Sequence, residues 1–228
     1  MNLPLDPARR SPILPPGRAI AKRTFDLAVA VAGLVFLAPI IAVAACGARL
    51  AHGHAFFSQT RVGLYGLPFR LHKICTMRQL DGVTTTVTTS RDPRLTSFGR
   101  FLRRTKIDEL PQLWNVIKGD MSLVGPRPDV PSAYGVIEEK CADALRVKPG
   151  LTSPVSITLA REEEMLAGHP DPERYNAETL WPQKMTANAQ YARNQTFFAD
   201  LGILIATIFA ILRPRQTGQA AALRGTGS

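Results

Sequence analysis

The pattern of apolar and polar residues divides the chain into a long apolar segment, a mixed body and a shorter second apolar segment. Residues 27–48 contain no charged side chain. About 22 residues extend about 33 Å as an α-helix, which is long enough to cross a bilayer. A helix that is apolar on every face rarely belongs to a soluble core, and the late start of the run argues against a cleavable signal peptide. The pattern therefore predicts insertion into a membrane.

Pro39 lies near the middle of this segment, where proline removes a backbone hydrogen bond and kinks a helix. Basic residues flank both ends of the segment, so the positive-inside rule assigns no orientation. This is the expected pattern when both ends stay in the cytoplasm. We therefore predict a re-entrant membrane helix over residues 18–54, which enters one leaflet, turns at Pro39 and returns. A kinked single span is the alternative that the residues leave open.

The second apolar segment, residues 197–212, is short for a membrane span and contains Asp200. It predicts a helix that lies in the membrane interface or packs on the body. The body, residues 55–215, begins with short apolar groups and turn residues over 55–77, a pattern that predicts a small β-hairpin. The termini, residues 1–17 and 216–228, are rich in Pro and Arg or in Gly and Ala, and are predicted to be disordered.

Further along the body, apolar residues recur three or four positions apart after Lys106 and predict a helix, in which Pro111 fits only the first turn. The expected fold class is therefore α+β. It is a mostly helical compact domain with a short β-hairpin, anchored by the re-entrant membrane helix and by interfacial amphipathic helices.

The formal charge of +10 implies an anionic partner, which is a nucleic acid, an anionic lipid or a phosphorylated substrate. Between residues 49 and 106 the only acids are Asp81 and Asp92. No nucleic-acid-binding motif or interleaved aromatic pattern is present, and the membrane segment also argues against a nucleic-acid partner. The three cysteines are far apart and form no disulfide or metal-binding pattern, which fits a reducing compartment.

The basic block leads directly into an acidic pair, Asp108 and Glu109, at or near the start of the predicted helix. Backbone N–H groups and the helix dipole favour negative charge there. Ordinary N-capping explains one carboxylate, but it does not explain two adjacent ones preceded by several basic residues. Further on, Arg127 stands between two prolines, which present its guanidinium rigidly for a bidentate phosphate contact. A surface turn is an equally good interpretation of that motif.

The run DPRLTSFGRFLRRTKIDELPQLWNVIKGDMSLVGPRP, residues 92–128, resembles the core of the monotopic phosphoglycosyl transferases. These polyprenyl-phosphate phospho-sugar transferases form the bacterial sugar transferase family, which opens polysaccharide and glycoprotein-glycan pathways. The resemblance extends to KRTFDLAVA, FSQTRVGLYGLPFRLHK, RVKPGLT and QYARNQTFFADLGILIAT, and so covers most of residues 22–212. It identifies residues 55–215 as a phosphoglycosyl transferase catalytic domain.

The resemblance implies a membrane helix broken at Pro39 and an Asp108–Glu109 dyad that works with Mg²⁺. Asp108 is the implied nucleophile, which attacks the β-phosphate of a UDP-sugar, releases UMP and passes the phospho-sugar to polyprenyl phosphate. Glu109 is implied to help hold the metal or to assist the acceptor. The residues implied to bind phosphate or nucleotide, or to complete the site, are Lys73, Arg103, Arg127 and Asp200.

The resemblance also implies a location in the bacterial inner membrane, with the catalytic domain on its cytoplasmic face and in contact with membrane lipid. The alternative function is an inactive membrane-tethered scaffold or regulator of the same pathway, against which the presence of Asp108, Glu109 and Arg127 argues. A homo-oligomer stays open. The sugar is not assigned, because the segment at Thr152–Pro154 departs from the family pattern.

Overall fold

The computed structural model describes residues 5, 10–78, 92–131, 139–155 and 162–212. The predicted disordered tail, residues 216–228, lies outside the described residues. At the N-terminus, Leu5 is buried against Cys141 and Leu145, and Ser11 accepts a hydrogen bond from Arg146. The disorder predicted for residues 1–17 stays a prediction.

The long apolar segment forms one helix, α1, over Pro16–His52. Proline at the start of a helix loses no internal hydrogen bond, and Gly53 ends α1 in the left-handed conformation at φ 82°. The boundaries agree closely with the predicted membrane helix over residues 18–54, and α1 is long and apolar enough to cross a membrane. The helix continues through Pro39. A change of direction at that residue stays a prediction.

Both ends of α1 contact the same body. Near its start, Arg23 donates hydrogen bonds to the carbonyls of Val116 and Ile117, and near its end His52 Nε2 lies 2.7 Å from Thr96 Oγ1. Between these ends, one face of α1 packs on the body, where Leu37 and Ile41 are partly buried, and the other is uncovered, with Phe36 81% exposed. The centre of α1 therefore presents apolar side chains to the surroundings on one face only.

The predicted hairpin is present. Strands β1 (Phe56–Val62) and β2 (Pro68–Ile74) pair antiparallel, with Phe57 opposite Lys73. After residue 92 come α2 (Ser97–Thr105), a 3₁₀ turn (Ile107–Glu109) and α3 (Gln112–Lys118). A second, parallel pair consists of β3 (Ser122–Val124) and β4 (Gly150–Thr152).

The remaining elements of the described chain are helical. The elements are a 3₁₀ helix (Glu139–Arg146), α4 (Glu162–Ala167), α5 (Pro172–Tyr175), a π-helical turn (Asn176–Leu180), α6 (Trp181–Arg193) and α7 (Phe197–Leu212). Helix α7 corresponds to the second apolar segment. It buries Asp200 but leaves Phe198 82% and Phe209 62% exposed. The α+β, mostly helical architecture is confirmed, and the interfacial position of its helices stays a prediction.

The core that supports the site lies where α1, β2 and α3 meet. Ala30 of α1, Leu71 of β2 and Val116 of α3 are buried in one cluster with Met121 and Val124. Alanine at position 30 leaves room for a close approach of the α1 backbone, and Ala30 is fully buried. This packing brings the hairpin and α3 against the same side of α1.

Candidate active site

The acidic pair lies in the 3₁₀ turn between α2 and α3. Helix α2 is capped by Lys106, which has a left-handed backbone (φ 59°) and donates its N–H to the carbonyls of Leu102 and Arg103. The chain then makes the 3₁₀ turn that contains Asp108 and Glu109, and Pro111 caps the start of α3. Both carboxylates thus come just before the helix, in agreement with the sequence-based expectation.

Glu109 is buried among three cationic side chains. Its Oε1 lies 2.8 Å from Arg127 Nη2, 3.3 Å from Lys73 Nζ and 3.7 Å from Lys106 Nζ. Burial opposes ionisation of this carboxyl, but the positive charges of Arg127, Lys73 and Lys106 outweigh it and hold its pKa well below the usual range. Glu109 is therefore ionised at neutral pH, and it holds the three cations beside Asp108.

Asp108 has the opposite environment. It is 4% exposed, and its Oδ1 is buried without a hydrogen-bond partner among the described residues. Burial, followed by repulsion from the charge of Glu109, raises the pKa of Asp108 to about 6. A buried carboxylate oxygen without a partner is costly, so it is a feature that requires an explanation. The arrangement suits a nucleophile that is ionised at neutral pH and unsolvated.

Lys73 reaches Glu109 from the end of β2, and Asn115 helps to fix that strand against α3. Asn115 is fully buried, its Nδ2 donates to the carbonyl of Arg70, and its Oδ1 accepts from the backbone N–H of His72. The amide thus pairs with the edge of β2 just before Lys73. The sequence does not predict this role of Asn115, for which the one sign is an amide inside an apolar helical pattern.

Burial lowers the pKa of Lys73, while the adjacent charge of Glu109 opposes this shift. The ammonium group and the carboxylate therefore stabilise one another in their charged forms. This pairing keeps a positive charge close to Asp108. That charge partly offsets the rise in the pKa of Asp108 that burial and Glu109 cause.

Arg127 enters the site on the segment that follows β3. Gly125 is required there, because a Cβ atom at this position would lie 2.3 Å from the carbonyl oxygen of Lys148. The carbonyl of Pro128 accepts a hydrogen bond from Arg61 of β1, which fixes the far side of the segment. The clamped arginine that the sequence predicted therefore points at Glu109.

The two remaining predicted site residues, Arg103 and Asp200, lie in different places. Arg103 donates from Nε to Thr76 Oγ1 (3.1 Å), and its charge lowers the pKa of Asp108, so it lies near the dyad. Asp200 forms an ion pair with Lys22 at 2.7 Å and accepts from the hydroxyl of Tyr191. It thus belongs to a different cluster from the one that holds Glu109. A direct role of Asp200 in substrate binding stays a prediction.

The dyad offers oxygen atoms of the kind that a divalent cation binds. Mg²⁺ binds hard oxygen ligands, commonly one or two carboxylates together with phosphate oxygens and water. Asp108 offers an oxygen without a partner, and the adjacent Glu109 is ionised. These two residues fit Mg²⁺. No group of three or more Asp, Glu, His or Cys side chains with metal-binding geometry occurs within the described part of the chain.

Comparison with known proteins gives consistent matches along the chain. The model of the bacterial sugar transferase family matches residues 17–214. The uncharacterized sugar transferase EpsL of Bacillus subtilis is 38% identical over 222 residues, which cover 92% of this chain and 97% of the relative. A UDP-glucose:undecaprenyl-phosphate glucose-1-phosphate transferase of Caulobacter vibrioides is 35% identical over 198 residues, covering 85% and 70%.

A third relative, from Bacillus subtilis, is described as a putative undecaprenyl-phosphate N-acetylgalactosaminyl 1-phosphate transferase. It is 43% identical over 133 residues, which cover 58% of this chain and 70% of the relative. The similar proteins therefore differ in the sugar that their descriptions name.

Proposed function

Because the chain belongs to the bacterial sugar transferase family, we propose that it transfers a phospho-sugar from a UDP-sugar to polyprenyl (undecaprenyl) phosphate. The reaction releases UMP. Two of the relatives are described as transferases that use undecaprenyl phosphate. The observation that carries the proposal is the buried, unpartnered Oδ1 of Asp108 beside a glutamate that holds three cations.

In the first step, a carboxylate oxygen of Asp108 attacks the β-phosphorus of the UDP-sugar. The bond between that phosphorus and the oxygen that bridges to the α-phosphate breaks, and its electron pair leaves with UMP. The enzyme keeps the phospho-sugar on Asp108 as an acyl phosphate. A carboxylate nucleophile thereby divides one transfer between two anions into two separate steps.

In the second step, a phosphate oxygen of polyprenyl phosphate attacks the same phosphorus. The bond to Asp108 breaks, its electron pair returns to the carboxylate, and polyprenyl-diphosphate-sugar is formed. Both steps bring negative charges together, and Lys73, Arg103 and Arg127 lie where positive charge offsets that repulsion. We infer that Asp108 and Glu109 hold Mg²⁺, which would supply further charge stabilisation at the transferred phosphoryl group.

The position of α1 supports a monotopic arrangement. Both ends of the apolar segment contact one body, whereas a straight membrane-spanning helix would separate them by the thickness of a bilayer. We therefore propose that α1 is re-entrant and that the catalytic domain lies at the cytoplasmic face of the inner membrane, where UDP-sugars and the polyprenyl phosphate headgroup meet. The reaction would be the first membrane step in the assembly of exopolysaccharide, capsule, O-antigen or a glycoprotein glycan.

The proposal is tested with the purified full-length chain, polyprenyl phosphate and a panel of UDP-sugars. UMP release that depends on one UDP-sugar, together with a polyprenyl-diphosphate-sugar product, would support the proposed transferase and would identify the donor. Denatured enzyme from a reaction without acceptor should carry the mass of the phospho-sugar on the peptide that contains Asp108. An active preparation that never carries this mass would contradict the two-step reaction, and a folded preparation without turnover on any UDP-sugar would favour the inactive scaffold.

A further inference from the structure

A second buried cluster of charged and polar residues lies where α1, β3, α6 and α7 meet. Lys22 Nζ is 2.7 Å from Asp200 Oδ2 and 3.8 Å from Asp26 Oδ1. Asp26 and Asp200 are 3% and 4% exposed, so two carboxylates are buried with one lysine. We call this cluster the β3 anchor; its members are Lys22, Asp26, Ser122, Tyr191, Gln195 and Asp200.

The hydrogen bonds of the β3 anchor converge on strand β3. From α1, Asp26 Oδ2 accepts from the hydroxyl of Ser122 at 2.7 Å. From the other side, the hydroxyl of Tyr191 lies 2.6 Å from Asp200 Oδ1 and 3.2 Å from the carbonyl oxygen of Val124. Burial and the charge of Asp200 raise the pKa of Tyr191, so its hydroxyl keeps its one proton. That proton is shared between the two acceptors, with the shorter bond to Asp200, and the same hydroxyl oxygen accepts from Gln195 Nε2 at 2.6 Å. Each end of β3 is therefore connected to a carboxylate on an apolar helix.

Burial of two carboxylates with a single lysine is an expensive way to pack helices. Apolar residues of similar volume often give the same or greater stability than a buried ion pair. A polar cluster of this kind does, however, select one arrangement of its partners, because each hydrogen bond has a narrow range of lengths and angles. The β3 anchor is thus better suited to fixing the position of β3 than to adding stability.

The position of β3 is transmitted directly to the active site. Only Gly125 and Pro126 separate Val124 from Arg127, and both are fixed: Gly125 donates to the carbonyl of Thr152, and the carbonyl of Pro126 accepts from Gly150. The Cβ position of Gly125 is blocked by the Lys148 backbone. A shift of β3 is therefore passed on to the backbone of Arg127, whose Nη2 lies 2.8 Å from Glu109 Oε1.

We propose that Ser122 and Tyr191 are positioning residues for the transferase reaction. Through β3 they hold Arg127 against Glu109, and they do so only while Asp26 of α1 and Asp200 of α7 are docked. The two apolar helices that face the surroundings thus supply carboxylates that assemble the site, so the active site is complete only when both helices are seated. When the β3 anchor is broken, the diphosphate of the donor should bind more weakly. This consequence rests on the proposed function.

A double-mutant cycle tests the proposal, with UDP as the probe and Asp108→Asn as the background that prevents turnover. Tyr191→Phe removes one hydroxyl and preserves the ring. We expect it to raise the Kd for UDP about five- to tenfold, the size of effect that the loss of roughly one hydrogen bond produces. In the Arg127→Ala background the same substitution should change UDP binding less than twofold, because no guanidinium remains to be positioned. An equal loss in both backgrounds would show a general structural effect and would overturn the proposal.

Two further variants make the cycle decisive. Ser122→Ala removes the hydrogen bond between β3 and Asp26 of α1, and we expect it to weaken UDP binding as Tyr191→Phe does. If Tyr191→Phe fails to fold, Ser122→Ala provides the test in its place. Thr186→Val is the matched control, because it removes an exposed hydroxyl that donates to the carbonyl of Pro182 within α6 at 2.9 Å and touches neither β3 nor α7. We expect it to bind UDP like its parent. Weakening by Thr186→Val as large as that by Tyr191→Phe would overturn the proposal.

A spectroscopic readout separates this inference from the proposed function. In the full-length chain, the Nη–H signals of Arg127, the groups that contact Glu109, are assigned by comparison with Arg127→Lys and followed by NMR without nucleotide. We expect slow exchange with solvent in the wild type and fast exchange in Tyr191→Phe and Ser122→Ala. Unchanged exchange in these variants would overturn the positioning role. Failure of the wild type to release UMP from any UDP-sugar would overturn only the proposed function.

Discussion

Arg127 Nη2 lies 2.8 Å from Glu109 Oε1, although the two residues are separated by 18 positions and belong to different elements. Lys73 and Lys106 complete the set of cations around the same carboxylate. Glu109 is therefore the residue that holds the charges of the site together, and Asp108 is left beside it with an oxygen that has no partner in the described structure.

Glu109→Gln should impair both stability and activity. The neutral amide leaves Arg127, Lys73 and Lys106 without their common counter-ion, which costs about 2–3 kcal/mol of unfolding free energy, less than for a fully buried pair because two of the cations are partly exposed. Chemical denaturation measures the loss, and UMP release should fall by more than about 10²-fold. The control is Glu178→Gln, a carboxylate-to-amide change in an exposed ion pair. Wild-type activity in Glu109→Gln would contradict this role.

Asp108→Asn should abolish activity and yet stabilise the fold. Removal of the nucleophile should lower UMP release by more than about 10³-fold, with no phospho-sugar on the protein. Because the pKa of Asp108 is raised to about 6 in the folded chain, its ionisation opposes folding increasingly from about pH 4 to pH 6. Asparagine avoids this cost. We expect a gain of about 2–3 kcal/mol at pH 7.5 and a smaller gain at pH 5, measured by chemical denaturation. A loss of stability at pH 7.5 would contradict the proposed environment.

The donor half-reaction should lose activity on the acidic side of neutrality. The nucleophile must be ionised, and the pKa of Asp108 is raised to about 6 in the metal-free chain. A bound Mg²⁺ favours the ionised carboxylate, so kcat/KM for the UDP-sugar should rise with pH and level off at or below about pH 6. Residual activity of Glu109→Gln offers a sharper test, because the charge of Glu109 raises the pKa of Asp108. The acidic limb of that variant should move to lower pH. A shift to higher pH would contradict the assignment of the limb to Asp108.

Removal of divalent cations should stop the reaction. Asp108 and Glu109 fit Mg²⁺, and phosphoryl transfer between anions gains from a bound cation. EDTA should therefore abolish UMP release, and an excess of Mg²⁺ should restore it. The thermal unfolding midpoint of the wild type should rise with Mg²⁺, whereas that of Asp108→Asn should rise less, because the variant lacks one carboxylate ligand. Full turnover in metal-free buffer would exclude the metal from the reaction.

Cysteine labelling in intact cells tests the re-entrant arrangement of α1. The endogenous cysteines, Cys46, Cys75 and Cys141, are first replaced. Single cysteines at Arg18 and His54 should resist an impermeant thiol reagent until the inner membrane is opened, because both ends of α1 contact the same domain. External labelling at position 18 alone would show a membrane span.

Pro39→Ala examines the cause of this arrangement. Restoring the backbone hydrogen bond favours a straight α1, and we expect altered labelling at position 18 or weaker transfer to polyprenyl phosphate. Unchanged labelling and an unchanged rate would show that Pro39 does not set the direction of the helix.

The elements that the sequence predicts are those that depend on residues adjacent in the chain. An uncharged run of about 22 residues predicted α1, turn residues predicted the hairpin, and Pro111 located the acidic pair just before a helix. Each of these features depends on neighbours in the chain. The two prolines beside Arg127 predict a rigidly presented guanidinium for the same reason, and its role as a phosphate ligand stays a prediction.

The tertiary structure decided which of these residues meet and what their charges do. Asn115 was missed because an amide inside a helix pattern gives no sign that it will pair with the edge of β2. Asp200 was grouped with the dyad, whereas the fold places it beside Lys22 and Tyr191. The difference between the carboxyls of Asp108 and Glu109 has the same origin. They are neighbours in the sequence, but burial and the distances to Arg127 and Lys73 set their pKa values, and those distances exist only in the folded chain.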